Sequence, residues 1–226
     1  MGEKNLRYFD YLSTKPYYQD AFNTVMTSSF RRAGQKWFEF FPVVEKLHAE
    51  NESDVLLVDV GGGHGSDLLL FHENFPDFPG KLVLQDLPHV IDTATTLASS
   101  IIEGQGHDFF DEQPVKGAKA YYLRTVLHDW PDAQVVQILT RLRDAMDSSS
   151  LLLIEEKVMP ETDLPLMAAV GDMSMMVSFA SAERTGKQYK MLLEEAGLEL
   201  VKYWAPKETL GTQPSLLEAR IHVPKA

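Results

Sequence analysis

The sequence contains no cysteine among its 226 residues. Disulfide bonds, thiolate metal sites and cysteine nucleophiles are therefore excluded for this chain, and the composition suits a reducing compartment. Positive charge is also scarce, because 21 Lys and Arg face 33 Asp and Glu, for a formal net charge of −12. Since the sequence has no basic block, we expect neither nucleic acid nor an anionic membrane as the main partner.

Long hydrophobic segments are missing as well. No run approaches the roughly 18 apolar residues of a membrane span, and the opening stretch MGEKNLRYFDYL lacks the apolar core of a signal peptide. Position 6 is Leu6, where an N-myristoylation pattern requires Ser or Thr. We therefore expect a cytoplasmic protein without a membrane anchor.

The length suits one large domain or one domain with an appendage, and 44% hydrophobic residues can form a sizeable core. We predict a helical N-terminal segment over residues 1–50 and an α/β domain over residues 51–226. The N-terminal segment is rich in aromatic residues between Trp37 and Phe41. These side chains either pack over the sheet as core or face a substrate or a partner chain.

The most informative stretch is VLLVDVGGGHG, residues 55–65. Its apolar, largely β-branched start predicts a buried strand. The four glycines that follow permit positive φ and close approach of the backbone to a ligand. A strand, a glycine-rich turn and a helix in this order are typical of a nucleotide-like ligand site in an α/β sheet.

The glycine spacing separates two classes of ligand. A dinucleotide fingerprint, G-x-G-x-x-G, would require glycine at position 66, which is Ser66. The pattern present, D-x-G-x-G-x-G, resembles motif I of the S-adenosylmethionine-dependent methyltransferases and contains Asp59, Gly61, Gly63 and Gly65. A tight strand–helix connection is the alternative, but Asp86 at the end of the next strand favours a ligand, because its carboxylate can accept two ribose hydroxyls.

Strands and helices alternate along the chain, which predicts a mostly parallel sheet with helices on both faces. The last two strands are joined by too short a connection for a helical crossover, so we expect them to be antiparallel. We also predict a helix over 88–99, a two-residue strand at 101–102 followed by a turn at Gly104 and Gly106, and Asp132 as the N-cap of a helix. Predicted strands three, four, five and seven cover 101–102, 120–126, 151–156 and 216–223.

A histidine and a glutamate lie near the carboxyl ends of the predicted strands, where ligands of such sheets bind, and a second glutamate lies just before a predicted helix. His128 lies in LHDW after strand four, Glu156 ends strand five in EEKVMP, and Glu183 lies in AERT. A histidine in such a place is often structural or simply solvated. Taken with the glycine loop, LQDLPHV and GHDFF, however, these motifs resemble the plant- and fungal-type small-molecule O-methyltransferases over roughly residues 55–223.

That resemblance implies a Rossmann-like class I methyltransferase sheet of seven strands, mostly parallel with the last antiparallel. It implies S-adenosylmethionine as cofactor, S-adenosylhomocysteine as product, and a phenolic or other small secondary metabolite as acceptor. His128 would be the general base and Glu156 and Glu183 would orient it. The remaining implied site residues are, for the cofactor, Asp59, Gly61, Gly63, Gly65, Asp86, Leu87, Asp108, Phe109 and Arg124, and for the acceptor, Asp129 and Met175.

Two features differ from what related enzymes contain. Metal-dependent catechol methyltransferases surround Mg²⁺ with acidic and amide ligands, whereas the end of strand four offers one carboxylate, Asp129, so we expect no metal. Family members also carry a longer N-terminal dimerisation region. Residues 1–50 are therefore either what remains of a truncated region or a naturally reduced one, and we expect them to expose apolar surface and to support a homodimer through the N-terminal helices.

Three functions remain open at this point. The first is O-methylation, favoured by the complete set of His128, Glu156 and Glu183. The second is different chemistry on the same scaffold, such as a hydroxylase or a pericyclase that keeps the cofactor for structure or electrostatics. The third is a binding domain without catalysis, which the intact glycine loop and His128 disfavour.

Overall fold

A computed structural model gives the fold of the chain and describes residues 8–27, 34–94, 97, 101–206 and 214–222. Within those ranges the chain forms a seven-stranded sheet and a second sheet of two short strands. None of the helices in the described ranges combines the length and the apolar character that a membrane span requires.

The strands are short, and those at the centre of the main sheet are apolar and buried. In chain order they are β1 (Val55–Val60), β2 (Lys81–Asp86), β3 (Ile102–Gly106), β4 (Ala120–Arg124), β5 (Leu151–Glu156), β6 (Val158–Met159), β7 (Arg184–Thr185), β8 (Leu198–Trp204) and β9 (Ser215–Ile221). The small sheet pairs β6 with β7, and the other strands form the main sheet.

The order of strands across the main sheet is β3-β2-β1-β4-β5-β9-β8. The pairs formed by β1 to β5 are parallel, whereas β9 runs antiparallel to both β5 and β8. The predicted Rossmann-like class I methyltransferase sheet with its last strand reversed is therefore confirmed. Because the chain goes from β1 to β2 on one side and later to β4 on the other, a crevice opens between the carboxyl ends of β1 and β4.

Helices cover both faces of the sheet, as expected from the alternation. They are α1 (Tyr8–Ser13), α2 (Pro16–Thr27), α3 (Trp37–Phe40), α4 (Val43–Lys46), α5 (Ser66–Asn74), α6 (Pro88–Ile91), α7 (Asp132–Arg143), α8 (Leu166–Phe179) and α9 (Gly186–Glu195). Side chains of α3, α4 and α5 share one buried cluster with the sheet, and those of α7 and α9 share another. The two clusters lie on opposite sides of β1, since Leu57 and Val58 belong to different ones.

The aromatic part of the N-terminal segment belongs to the core. Trp37 is 2% exposed and stacks on Phe71 with 5.6 Å between ring centroids, and its ring lies 5.3 Å from that of Tyr122. The segment is two single helical turns, because Pro42 lies between α3 and α4. Of the two readings of these aromatic residues, the structure supports packing in the core.

The region around β3 differs from the prediction. Gly104 and Gly106 lie inside β3 and not in a turn. A Cβ on Gly104 would lie 2.4 Å from Leu97 Cδ1, and one on Gly106 would lie 3.0 Å from Pro88 Cα. These glycines therefore allow Pro88 and Leu97 to approach the strand closely. In the sequence, glycines with this role look the same as glycines in a turn.

Three further boundaries differ. The helix that begins at Pro88 ends at Ile91, and four of the later residues of the predicted 88–99 helix lie outside the described ranges. The predicted end of the last strand, Val223, lies outside them too. Asp132 is the first helical residue and Pro131 occupies the cap position. The carboxylate of Asp132 accepts hydrogen bonds from Arg184 instead. The small β6–β7 sheet was not predicted, because strands of two residues carry no periodic signal.

Candidate active site

The chain leaves β1 through the glycine loop, residues 61–65. Gly61, Gly63 and Gly65 have φ angles of 72°, 59° and 75°, which residues with a Cβ rarely adopt. Gly62 is not left-handed, but a Cβ there would lie 2.5 Å from the Asp59 carboxyl. A Cβ on Gly63 would meet no atom within 4 Å. Open space therefore adjoins a loop whose backbone a ligand can approach closely.

Asp86, at the end of β2, holds the glycine loop through its side chain. Its Oδ2 accepts the N–H of Gly63 at 2.8 Å, and its Oδ1 accepts the N–H of Leu87 at 2.7 Å. Burial raises the pKa of Asp86, and these two N–H groups oppose that rise. Each carboxylate oxygen keeps a further lone pair. Asp86 and Leu87 thus lie at the loop, where a ligand with adjacent hydroxyl groups can reach the carboxylate.

Asp59 lies just before the loop and is almost completely buried. Its Oδ2 has no hydrogen-bond partner among the described residues. Burial raises the pKa of Asp59 well above its usual range, and the nearby Asp67 adds to that effect while Arg124 opposes it. Buried polar atoms in folded proteins normally have a partner. The free oxygen therefore fits a donor group supplied by a ligand.

Arg124, at the end of β4, is engaged by other protein side chains. Its Nη1 lies 2.7 Å from Asp67 Oδ1 and donates also to Asp67 Oδ2 at 2.8 Å. Its Nε lies 3.8 Å from Glu155 Oε2. Burial lowers the pKa of Arg124, but Asp67 and its other acidic neighbours outweigh this effect and raise the pKa above its usual value. The guanidinium is therefore cationic. The structure thus shows an ion pair between Arg124 and Asp67, while a contact of Arg124 with the cofactor stays a prediction.

Asp108 and Phe109 follow β3 on the same edge of the sheet. The N–H of His107 donates to Asp86 O at 2.8 Å, and Asp108 Oδ1 accepts the N–H of Phe110 at 3.0 Å. The Phe109 ring comes within 3.6 Å of the position that a Cβ on Gly61 would occupy. The structure therefore brings this predicted pair next to the glycine loop.

His128 is buried in a short 3-10 turn, Leu127–Asp129, directly after β4. Its Nδ1 lies 3.3 Å from Glu183 Oε1 and 3.9 Å from Glu156 Oε2. Its Nε2, on the other side of the ring, lies 3.5 Å from Asp129 Oδ1. The three residues predicted to act together are thus in one cluster, with both glutamates on the same ring nitrogen.

Glu156 also shapes the backbone of the turn. Its Oε1 accepts the N–H groups of Val126, Leu127 and His128 at 3.0, 2.8 and 3.4 Å. Burial raises the pKa of Glu156, and His128 opposes that rise. One carboxyl group therefore holds the turn in place with one oxygen and faces the imidazole with the other.

The three carboxyl groups change the acidity of His128. Burial lowers the pKa of His128, but Glu156, Glu183 and Asp129 outweigh this effect and raise it to about 9. An unperturbed histidine, with a pKa near ~6.5, would be largely neutral at neutral pH. With a pKa of about 9, the ring would carry a proton at neutral pH. The sequence motifs do not reveal how many carboxyl groups surround the ring, so they could not predict this rise.

The same cluster has the donors of a metal site. One atom each of His128, Glu156 and Glu183 can be chosen so that all lie within 4.8 Å of one another. Oε2 of Glu156 and Oε2 of Glu183 have no hydrogen-bond partner among the described residues. The expectation that no metal takes part therefore stays a prediction, and it needs a direct test.

Aromatic side chains surround the predicted acceptor residues. Met175 is half-buried on α8, and Asp129 lies beside His128. The Tyr8 ring lies 4.6 Å from that of Phe179, and burial together with Asp129 raises the pKa of Tyr8. The Phe9 ring stacks on Trp130 at 5.8 Å. Helix α1 therefore lies over the turn that contains His128, although no motif in its sequence predicts a place in the site.

Other site residues were missed for a similar reason. Asp67 pairs with Arg124, and Asp172 on α8 accepts the N–H of Glu183 at 2.8 Å. Arg184 contacts the backbone of the His128 turn. Of these three residues, only Arg184 lies in one of the motifs that carry the resemblance, AERT. An arginine directly after the predicted site residue Glu183 is a sequence signal that could have indicated it.

A Rossmann-like sheet with a D-x-G-x-G-x-G loop and an acidic second strand defines the class I S-adenosylmethionine-dependent methyltransferases. The profile of the O-methyltransferase domain family matches residues 2–199. The chain therefore belongs to the O-methyltransferase family, whose cofactor is S-adenosylmethionine.

Curated relatives agree with this family assignment. The chain is 45% identical over 175 residues to demethylsterigmatocystin 6-O-methyltransferase stcP of Emericella nidulans, a match that covers 76% of this chain and 85% of that protein. The chain spans about half the length of several other curated relatives that it matches.

Solved structures with the same fold fall into more than one functional class. One is described as "A Pericyclic Reaction enzyme", with a TM-score of 0.86 and 33% identity, and the match covers 95% of this chain and 55% of that one. Another is OxaC in complex with SAH and oxaline, with a TM-score of 0.84 and 33% identity, covering 95% of this chain and 54% of that one.

Proposed function

We propose that this chain is the catalytic part of an S-adenosylmethionine-dependent O-methyltransferase. Its acceptor is a hydroxyl group of a phenolic or other small aromatic secondary metabolite, and His128 is the general base. The observation that carries the proposal is the geometry of His128, whose Nδ1 lies 3.3 Å from Glu183 and 3.9 Å from Glu156 while Nε2 lies on the other side of the ring. The relatives named as O-methyltransferases support the reaction class.

The cofactor would lie at the glycine loop. When bound, S-adenosylmethionine supplies an activated methyl group. The residues proposed to hold it are Asp59, Gly61, Gly63, Gly65, Asp86, Leu87, Asp108, Phe109 and Arg124. Three features support the fit: the open space at Gly63, the paired N–H contacts of Asp86, and the unpartnered buried Oδ2 of Asp59.

The protein then has to remove the proton of the acceptor hydroxyl. Neutral His128 would take it at Nε2, while Glu183 and Glu156 stabilise the imidazolium that forms. With a pKa of about 9, His128 is a stronger base than an ordinary histidine. Its affinity for a proton therefore lies close to that of a phenolate, since phenols titrate near ~10. Such matching favours proton transfer between the acceptor and the ring.

The surroundings of His128 support an aromatic acceptor. Tyr8, Phe9, Trp130 and Phe179 form ring contacts with one another next to the turn. A planar phenol can stack on such side chains. We propose that Asp129 and Met175 line the same pocket, Asp129 near the reacting hydroxyl and Met175 along the apolar body of the acceptor.

A methyl-transfer assay tests the proposed function. The purified chain is incubated with S-adenosylmethionine and a library of phenols, and products are followed by mass spectrometry for the gain of one methyl group. With an active acceptor, His128→Ala should lower kcat by about 10²–10⁴-fold, whereas His48→Ala, which changes an exposed histidine, should not. Full activity of folded His128→Ala would contradict the general-base role.

A second candidate is a pericyclic reaction, favoured by the similarity to the enzyme described above. Such a reaction rearranges a substrate without consuming the cofactor. The two candidates differ in the mass of the product and in the release of S-adenosylhomocysteine. Conversion of a substrate to an isomer of equal mass, with no S-adenosylhomocysteine formed, would favour the second candidate over methylation.

We also propose that two copies of the chain associate through an apolar surface. On α8, Leu166, Val170, Met173 and Val177 are exposed at spacings of four, three and four residues. This spacing is typical of a helix that packs against another helix. The N-terminal helices adjoin it, since Phe179 contacts Tyr8, and α2 exposes Tyr17 and Tyr18.

A matched pair of substitutions tests the association. Met173→Glu should shift the chain from dimer to monomer in light scattering, because a charge would enter the interface. Met191→Glu changes a methionine that is equally exposed, 59% against 60%, on α9, and it should leave the dimer intact. A monomeric wild-type chain at high concentration would contradict the proposal.

The cytoplasmic location and the absence of a nucleic-acid partner are proposed from composition alone. The lack of cysteine supports the cytoplasmic location. The net charge of −12 supports the absence of a nucleic-acid partner. Cell fractionation of the tagged protein tests the location, and retention on a heparin column at low salt would argue against the second statement.

A further inference from the structure

Arg184 connects the segments that contain the three clustered residues. Its side chain is 3% exposed. Nη1 donates to Leu127 O at 3.0 Å and Nη2 donates to Trp130 O at 2.7 Å, so the guanidinium contacts the backbone on both sides of His128 and Asp129. It also donates from Nε and Nη2 to Asp132 Oδ1 at 2.9 and 2.7 Å.

The backbone of Arg184 makes a second connection. Arg184 pairs with Val158 in the β6–β7 sheet, two residues after Glu156. Arg184 also directly follows Glu183, whose own N–H is held by Asp172. One residue therefore links the strand that ends at Glu156, the segment that contains Glu183 and the turn that contains His128.

We propose that Arg184 is a positioning residue that sets the distance between the His128 ring and the Glu183 carboxylate. The inference rests on the proposed role of His128 as base, but the contact itself can be measured without catalysis. The planar guanidinium reaches two carbonyl groups and one carboxylate at once. A lysine ammonium is a single point charge and cannot span the same three acceptors. Without the guanidinium, a side-chain hydrogen bond would still join the Glu183 segment to the end of the His128 turn, because Ser181 Oγ donates to Trp130 O at 2.7 Å.

The first test uses Arg184→Lys, which keeps the charge and removes the planar fork. We expect kcat to fall by about 10²-fold, as for a misplacement of roughly 1 Å, and the dissociation constant for S-adenosylmethionine to change less than about twofold. Arg220→Lys is the matched control, because Arg220 is 56% exposed and pairs with Glu199, and its kinetics should match wild type.

The second test measures the His128 imidazole directly. NMR titration of the ligand-free protein should give a lower midpoint in Arg184→Lys than the value of about 9 in wild type, because Glu183 moves away from Nδ1. Asp132→Asn, at a carboxylate that is 74% exposed, should fold normally and give a smaller shift in the same direction. This variant keeps the test open if Arg184→Lys does not fold.

The outcomes separate this inference from the proposed function. If Arg184→Lys only melts earlier, with unchanged kcat per folded molecule and an unchanged His128 midpoint, Arg184 is purely structural and the inference is wrong. If wild type transfers no methyl group to any acceptor but the His128 midpoint still shifts in Arg184→Lys, the positioning role stands and the proposed function fails.

Discussion

Nδ1 of His128 lies 3.3 Å from Oε1 of Glu183, a residue 55 positions later in the chain. Glu156 contributes most to the rise in the pKa of His128 to about 9, and this contact and Asp129 add to it, so the ring would hold its proton at neutral pH. A base must lose that proton before it can accept one from a substrate. In the proposed mechanism, the carboxyl groups around His128 would therefore set the pH at which the ring can act as a base.

The pH dependence of kcat/KM should reflect this requirement. Under the proposed function neutral His128 is the active form, so kcat/KM should increase with pH until the pH passes about 9. Only roughly 1% of the ring is neutral at pH 7 with such a pKa. Glu183→Gln removes a charge that raises the pKa, and its rising limb should move to lower pH. His128→Ala should lack the limb, and an unchanged limb in that variant would assign the ionisation to the acceptor.

Asp86 should matter for cofactor affinity more than for folding. Asp86→Ala removes the acceptor of the Gly63 and Leu87 N–H groups and the proposed partner of the ribose hydroxyls. We expect calorimetry to show S-adenosylmethionine binding weakened by roughly 1.5–3 kcal/mol, the range for hydrogen bonds to a charged group. Asp77→Ala, at an exposed carboxylate, should bind as wild type. Unchanged affinity in Asp86→Ala would remove Asp86 from the cofactor site.

Two neighbouring glycines should respond differently to alanine. Gly62→Ala places a methyl group 2.5 Å from the Asp59 carboxyl and 2.6 Å from Leu84 Cδ1, so we expect about 1–3 kcal/mol of lost stability from overpacking. Gly63→Ala meets no protein atom and carries only the strain of its positive φ, about 1–2 kcal/mol. Its methyl group would enter the space proposed for the cofactor. Melting curves should therefore rank Gly62→Ala as less stable, whereas calorimetry should show weaker cofactor binding in Gly63→Ala.

Chelation tests the prediction that no metal takes part. Dialysis against EDTA should leave the methyl-transfer rate unchanged, because His128 and its two glutamates would act on a proton. Adding Mg²⁺ back should have no effect either. A rate that falls on dialysis and recovers with one particular cation would mean that the His128, Glu156 and Glu183 donors hold a metal.

Much of the fold follows from local patterns. The apolar run at β1, the glycine spacing after it and the acidic residue at the end of β2 are each signals within a few residues, and they correctly predicted two strands and the glycine loop between β1 and the next helix. The misassigned glycines at 104 and 106 have the same composition as turn residues. Their actual role depends on Leu97 and Pro88, which pack against β3 from another part of the chain.

The candidate site was predictable residue by residue but not contact by contact. Motifs identified His128, Glu156 and Glu183, and the structure brings them together. The ion pair of Arg124 with Asp67 joins residues 57 positions apart, and the contacts of Arg184 with the His128 turn span a similar separation. Such contacts depend on how α5 and β7 pack against the sheet. The pKa of His128 depends on the same packing, so no motif could have revealed it.

The position of β9 has a consequence for synthesis of the chain. β9 lies between β5 and β8 in the sheet although it is made after both. When β8 leaves the ribosome it has no neighbour to pair with, and β5 presents an open edge. The side chain of Glu218 on β9 also accepts hydrogen bonds from Lys46 on α4 and from Trp204 at the end of β8. Both of these residues are synthesised before β9. Without β9, β8 would have no hydrogen-bonded contact with the rest of the sheet. The sheet can therefore be completed only after β9 has been translated.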